Sequence, residues 1–176
     1  MITVIDYGAG NLRSVVNAFE AIGQKTHVTN NPSDLKKASA IVLPGVGAFG
    51  DGINSLKSLN LIQALDEEVC GNKKPYLGIC LGLQFLAEKG FEHGSHTGLG
   101  WISGNVEKIV PNNKKCRVPH IGWNNLVVKN SCKFFDGLDP EPVFYFVHSY
   151  HLVVNYESAD VVQATCSHGT NITASI

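Results

Sequence analysis

The first half of the chain alternates short β-rich runs with helical patterns, and this alternation limits the possible folds more than any other feature. We predict strands at residues 2–6, 26–28, 40–43 and 76–79, and helical segments at residues 12–22 and 53–69. Alternation of this kind is typical of a mostly parallel α/β sheet with helices on both faces. The ligand site of such a sheet lies beyond the carboxyl ends of its strands.

The second half changes character from about Gly98 onward. Short strand patterns are separated by turn residues there, at residues 104–110, 118–128, 143–147, 152–154, 161–165 and 171–176. They predict an antiparallel extension of the sheet. With 176 residues and 44% hydrophobic content, we expect a single domain over residues 1–176.

Charge and cysteine usage narrow the function classes. A net charge of -1 provides no broad field for nucleic acid or an anionic membrane, so a small neutral substrate or a protein partner is favoured. The cysteines are widely spaced and form no C-x-x-C pair, which favours the reducing cytoplasm over a disulfide framework or zinc site. We expect neither a metal nor a cofactor. The five cysteines are Cys70, Cys80, Cys116, Cys132 and Cys166.

One cysteine lies between two glycines, in the string Gly78-Ile79-Cys80-Leu81-Gly82, where a strand pattern stops. The residues up to Glu88 continue as a helical pattern. A sharp strand-to-helix turn exposes its central residue, and the N-terminus of a helix favours thiolate over thiol. The turn therefore predicts a nucleophile at Cys80, and the alternative is a small buried hydrophobic residue.

A second glycine-rich turn, Pro44-Gly45-Val46-Gly47, follows the neighbouring predicted strand. Attack on a carbonyl needs preorganised N–H donors for the oxyanion, and glycines let amides turn toward a site. The alternatives are a plain βα turn and a phosphate loop, although the string lacks the G-x-G-x-x-G spacing. Gln84, four residues after Cys80, either orients an amide substrate or faces solvent.

Two strings of the second half combine aromatic and polar residues. In Tyr145-Phe146-Val147-His148-Ser149-Tyr150, strand alternation separates the polar groups onto two faces unless the strand ends near His148. Its histidine is either a general base or a hydrogen-bonded structural residue. The string Pro119-His120-Ile121-Gly122-Trp123-Asn124 is either a partner-facing loop or a buried corner.

These strings, in this order, resemble the class I (triad) glutamine amidotransferases, and more narrowly the glutaminase subunits of imidazole glycerol phosphate synthases. The resemblance covers nearly the whole chain and begins at Asp6-Tyr7-Gly8-Ala9-Gly10-Asn11-Leu12. It implies the flavodoxin-like amidotransferase fold. It also implies a hydrolase reaction, in which Cys80 attacks the glutamine amide to form a thioester and release ammonia.

The resemblance also implies roles for individual residues. The backbone of Val46, Gly47 and Leu81 would form the oxyanion hole, and the glutamine-binding positions correspond to Gln84, Ser149 and Tyr150. The positions that face the partner correspond to Asn11, Trp123, Tyr145 and His148. That partner is a (β/α)8 barrel cyclase, a lyase that receives the ammonia in a heterodimer and makes imidazole glycerol phosphate and AICAR in histidine biosynthesis.

The chain departs from the family pattern at one point. The general base of the family and its orienting acid come from a His-Pro-Glu string that these 176 residues do not contain. We expect the chain to continue beyond Ile176, and we expect low activity from the 176-residue form. Two other functions stay open: a paralogous subunit that supplies ammonia for an acetamidino surface sugar, and a noncatalytic docking module.

Overall fold

The computed structural model describes residues 1–113, 115–129 and 133–176, so Cys132 lies outside the described residues. The chain divides into two compact units, Met1–Trp101 and Ile102–Ile176. Compact units of this kind can belong to one domain, and the single domain over residues 1–176 stays a prediction.

The first unit contains a four-stranded parallel sheet in the order β2-β1-β3-β4. Apolar residues dominate β1 and β3 and are almost entirely buried, as expected for parallel strands covered on both faces. Helical segments connect the strands, so the predicted α/β class is confirmed. The elements are β1 (Ile2–Ile5), α1 (Leu12–Ala21), β2 (Thr26–Thr29), a 3₁₀ helix (Pro32–Lys37), β3 (Ala40–Gly45), α2 (Phe49–Ser58), α3 (Leu61–Leu65), a π-helix (Asp66–Gly71) and β4 (Tyr76–Cys80).

The helix after β4 is shorter than the sequence pattern predicts. Helix α4 covers only Leu81–Gln84, and Ala87–Gly90 form strand β5, which pairs with β6 (His96–Thr97). The prediction of a helical pattern up to Glu88 is therefore wrong. The backbone N–H groups of residues 98–100 donate to the carbonyls of residues 85, 87 and 88 at 2.8–3.0 Å, so these carbonyls accept hydrogen bonds from outside a helix.

The second unit consists of short antiparallel pairs, which confirms the predicted antiparallel character of this half. The 161–165 prediction is partly wrong, because a 3₁₀ helix ends at Val161 and the strand begins at Ala164. The elements are β7 (Ile102–Lys108), β8 (His120–Asn125), β9 (Val127–Val128), a 3₁₀ helix (Lys133–Phe135), β10 (Val143–His148), β11 (Tyr150–Val154), a 3₁₀ helix (Tyr156–Val161), β12 (Ala164–Ser167) and β13 (Asn171–Ser175).

Each unit has its own buried apolar side chains. The core cluster of the second unit consists of Ile109, Leu126, Phe135, Ala164, Cys166 and Ile172. The first unit buries the side chains of β1 and β3 together with Phe49 and Phe85, whose rings meet edge to face at 5.4 Å. In the part of the chain that the structure describes, no helix is long and apolar enough to cross a membrane.

Candidate active site

Cys80 occupies the predicted turn between β4 and α4 and is exposed to solvent. Its backbone has φ 55° and ψ −109°, in the positive-φ half of conformational space that residues other than glycine rarely adopt. Such strain persists only where the surrounding structure fixes it, and it is frequent at active sites. The geometry therefore matches an exposed nucleophile at a strained turn.

The glycines on both sides of Cys80 are required by the close approach of backbone segments. A Cβ on Gly82 would overlap the carbonyl oxygen of Leu43, and one on Gly78 would collide with the Gly82 carbonyl. The Tyr76 hydroxyl donates a hydrogen bond of 2.8 Å to that same carbonyl. The turn is thus fixed by β3 on one side and by Tyr76 on the other.

The Pro44-Gly45-Val46-Gly47 turn lies beside the Cys80 turn. In the parallel pairing of β3 with β4, Gly45 is the register partner of Cys80. Val46 and Gly47 follow Gly45 and are exposed, and Gly47 has φ 96°. The structure therefore brings together the nucleophile and the amides predicted for the oxyanion hole, although their catalytic role stays a prediction.

The surroundings of Cys80 do not favour its thiolate. Cys80 is exposed as a residue, but the protein atoms packed around its sulfur remove part of the sulfur's hydration, and this desolvation raises the pKa of Cys80. The Leu81 backbone N–H lowers the pKa by a smaller amount. The backbone N–H at the start of α4 thus acts in the direction expected of a helix N-terminus, but the desolvation of the sulfur outweighs it.

Gln84 is buried, at 9% exposure, so the alternative of a solvent-facing side chain is wrong. Buried side-chain amides are normally hydrogen-bonded, and such bonds fix the orientation of the side chain. Its role in glutamine binding stays a prediction.

Asn11 is exposed and caps α1, since its side-chain oxygen accepts a 3.3 Å hydrogen bond from the Ser14 backbone N–H. Its place at a partner interface also stays a prediction.

The β8–β10 ribbon of the second unit exposes an apolar face. Trp123 and Tyr145 are register partners on the two strands, their rings meet edge to face at 5.5 Å, and they are 74% and 55% exposed. Ile121 pairs with Val147 in the same way, and both are more than half exposed. We call these four side chains the ribbon patch. A contiguous exposed apolar surface of this kind marks an interaction site.

The opposite side of the same ribbon is occupied by histidines. His120 is only 3% exposed, and its Nδ1 lies 3.0 Å from His148 Nε2. Because the same string forms a strand with Ile121 and Trp123 exposed, it is neither a loop nor a buried corner. The Nδ1 of His148 contacts the Tyr150 carbonyl oxygen at 2.9 Å. Burial lowers the pKa of His120 to about 4 and also lowers the pKa of His148. Both ring nitrogens of His148 are therefore engaged inside this unit.

Strand β10 ends at His148, Ser149 follows it, and β11 begins at Tyr150. The strand therefore ends at His148, as it must if the polar groups of this string are not to be separated onto the two faces of one strand. The Ser149 carbonyl accepts a 2.9 Å hydrogen bond from the Ile109 backbone N–H, which fixes this corner. The glutamine-binding role of Ser149 and Tyr150 and the interface role of His148 stay predictions.

Tyr7, for which the sequence pattern predicts no role, lies at the site. The residue is 2% exposed, and its hydroxyl is buried without a hydrogen-bond partner among the described residues. A Cβ built on Gly45 would overlap this hydroxyl. The signal in the sequence was an aromatic residue at the carboxyl end of the first strand, directly before the glycines of the Gly8-Ala9-Gly10 loop.

Comparison with known proteins extends over the whole chain. The model of the family described as glutamine amidotransferase class-I matches residues 3–176. Subunit HisH 1 of imidazole glycerol phosphate synthase from Campylobacter jejuni strain RM1221 is 44% identical over 100% of this chain and 86% of its own length. The HisH subunit from Aquifex aeolicus is 46% identical over 98% of this chain and 81% of its own.

A solved glutamine amidotransferase structure aligns with a TM-score of 0.69 and covers 96% of this chain and 85% of its own. At 15% sequence identity, this likeness concerns the fold alone.

Proposed function

Because this chain belongs to the class-I glutamine amidotransferase family, we propose that it is the glutaminase subunit of an imidazole glycerol phosphate synthase. It hydrolyses glutamine to glutamate and ammonia. The Cys80 sulfur bonds to the side-chain amide carbon, and the C–N bond breaks as the nitrogen takes up a proton and leaves as ammonia. Water then attacks the γ-glutamyl thioester and releases glutamate.

One observation carries this proposal: Cys80 is exposed at a strained turn, directly opposite Gly45 in the parallel sheet. A structural cysteine in a core needs neither the strained backbone nor the exposure. An acyl-transfer site needs both, because the sulfur must reach the substrate carbon while donors next to it receive the oxyanion.

The amides of Val46, Gly47 and Leu81 are our candidates for the oxyanion hole. The Leu81 N–H lowers the pKa of Cys80, which supports a position close to the reacting sulfur. The exposed backbone of Val46 and Gly47 is accessible to a substrate oxygen. For the glutamine itself we propose contacts with Gln84, Ser149 and Tyr150.

The ammonia acceptor is a (β/α)8 barrel cyclase, with which the protein forms a heterodimer in the cytoplasm. The exposure of Trp123 and Tyr145 supports the ribbon patch as part of the interface, since aromatic residues are enriched at binding hot spots. Asn11 and His148 are our further interface candidates. The cyclase incorporates the ammonia into the imidazole ring as it forms imidazole glycerol phosphate and AICAR.

The test measures glutamate and ammonia release by the product of the complete coding sequence, with and without the barrel cyclase and its phosphoribosyl substrate. We expect turnover with the cyclase and slow turnover alone. Cys80→Ala should abolish release, by at least about a thousandfold, and should still bind the cyclase. Cys70→Ala, which removes another exposed cysteine, is the matched control and should keep wild-type rates.

The outcomes separate the possible functions. Ammonia transfer to an amidino-sugar synthase instead of the cyclase would reassign the acceptor. If a protein with intact Cys80 binds the cyclase but hydrolyses no glutamine, it is a noncatalytic docking module. Equal glutaminase rates for wild type and Cys80→Ala would make the turn structural.

A further inference from the structure

Tyr7 holds a hydroxyl group that the folded chain does not use. The side chain is almost fully buried at the carboxyl end of β1, and its hydroxyl has no hydrogen-bond partner among the described residues. Burial of an unsatisfied hydroxyl costs stability, and a phenylalanine would pack the same ring without that cost. A hydroxyl group retained at such a position points to an acceptor that is present only in another state of the site.

The neighbours of the hydroxyl indicate which acceptor that is. The Tyr7 oxygen occupies the space of a Cβ on Gly45, and Gly45 is the register partner of Cys80 on the adjacent strand. Adjacent strands lie about 4.8 Å apart. The hydroxyl therefore lies beside the strand position that pairs with the cysteine. Burial raises the pKa of Tyr7, and a negative charge on Cys80 raises it further.

We propose that Tyr7 is a positioning residue whose hydroxyl donates a hydrogen bond to the Cys80 sulfur when that sulfur is a thiolate. A neutral thiol is a weak acceptor, whereas a thiolate accepts strong charge-assisted hydrogen bonds. In this structure the hydroxyl makes no hydrogen bond to the sulfur, so the Cys80 side chain must turn toward Tyr7 for the bond to form. The bond would hold the thiolate in the turn for attack, and in the alkylation experiment below the proton of the thiol is lost to water.

Two neighbours of the cysteine do not take this role. The Leu81 backbone N–H lowers the pKa of Cys80, but the larger effect of desolvation still raises it. The Tyr76 hydroxyl is occupied by the Gly82 carbonyl. Tyr7 itself remains protonated, because burial raises its pKa well above the ordinary value for tyrosine.

The test follows alkylation of Cys80 by iodoacetamide over a pH series, with the modified peptide resolved by mass spectrometry. Tyr7→Phe should raise the midpoint of the Cys80 profile by about one pH unit, which makes alkylation at pH 7 about tenfold slower. Its melting temperature should equal or exceed that of the wild type, because an unsatisfied hydroxyl is removed. A purely structural role would not shift the profile.

Two internal controls accompany the test. Cys70, also exposed, is alkylated in the same samples, and its profile should be identical in both proteins. Tyr76→Phe removes a tyrosine hydroxyl that has a partner, so it should lower the melting temperature, in contrast to Tyr7→Phe.

A second variant guards against an uninformative result. Gly45→Ala places a methyl group where the hydroxyl lies and should shift the midpoint in the same direction. Cys80 profiles of Tyr7→Phe and wild type that coincide would overturn the proposal. The inference rests on the proposed function only for the choice of Cys80 as nucleophile. Since alkylation needs neither glutamine nor a partner, its failure is distinguishable from failure of glutamine turnover.

Discussion

The Cys80 turn and the β8–β10 ribbon use apolar residues in opposite ways. Around Cys80 the apolar side chains point inward and leave the nucleophile exposed, with Leu81 only 2% and Phe85 0% exposed. On the ribbon, Trp123 and Tyr145 point outward, whereas His120 is buried and His148 is partly buried on the opposite side. In the first region, packing therefore fixes a backbone conformation, whereas in the second region it leaves an apolar surface exposed.

The tight backbone packing of the first region predicts the largest effect. Gly82→Ala should destabilise the protein by about 3 kcal/mol or more, because the new methyl group overlaps the Leu43 carbonyl oxygen and rigid backbone cannot move aside cheaply. The free energy of unfolding in urea measures the effect.

Gly71→Ala is the matched control for this prediction. A Cβ at Gly71 meets nothing closer than 3.8 Å, so the change should be neutral or slightly stabilising. Equal stability of the two variants would show that the Cys80 turn is not constrained by its glycines.

The exposed surface of the second region predicts an effect on binding and not on stability. Trp123→Ala should weaken binding of the barrel cyclase by about 2 kcal/mol, the usual size for an aromatic hot spot. Titration calorimetry measures the affinity, and the rate of Cys80 alkylation in the free protein should stay unchanged.

Tyr156→Ala provides the comparison on the same unit, since Tyr156 is 94% exposed and lies outside the ribbon patch. It should leave the affinity unchanged. A loss of affinity that is equal for both variants would remove the ribbon patch as the interface.

The buried histidines predict that stability depends on pH. The folded-state pKa of His120 is about 4, below the unfolded value of about 6.5, so the unfolded chain binds more protons as the pH falls. The contribution is fully present above pH 6.5 and is lost progressively toward pH 4. It should amount to about 2 kcal/mol between pH 7 and pH 5.

Urea unfolding at the two pH values, compared between wild type and His120→Gln, measures this contribution. The difference between pH 7 and pH 5 should be smaller in the variant, because one titrating group has been removed. An equal difference in both proteins would show that His120 does not carry the effect.

The smallest predicted effect returns to the first region. Tyr76→Phe should cost about 1 kcal/mol of stability, because the Gly82 carbonyl loses the hydroxyl that donates to it. Thermal unfolding monitored by circular dichroism measures this. Unchanged stability would mean that this hydrogen bond does not help to fix the turn.

The sequence predicted the features of the first region that depend on local pattern. The alternation of strands and helices and the glycines around Cys80 identified the sheet and the nucleophile turn, because both follow from backbone sterics within a few residues. The helix after Cys80 was predicted too long, since its ending depends on hydrogen bonds from residues 98–100 that no local pattern encodes.

What the sequence could not predict depends on tertiary contacts. The pKa of Cys80 is raised by desolvation of its sulfur. Gln84 is buried by the packing around it. The Tyr7 hydroxyl is buried without a partner in the part of the chain that the structure describes, next to the paired ends of β3 and β4. For the ribbon, the alternation assigns residues to two faces, but the tertiary packing of the strands decides which of the two faces is buried.

Cysteine catalysis is tested most directly by an acid quench of the protein during glutamine turnover with its barrel partner, followed by mass spectrometry of the Cys80 peptide. We expect a mass increase of one glutamyl group on Cys80, and none in Cys80→Ala. Glutamine turnover without a glutamyl adduct on Cys80, or with the adduct on another residue, would contradict it.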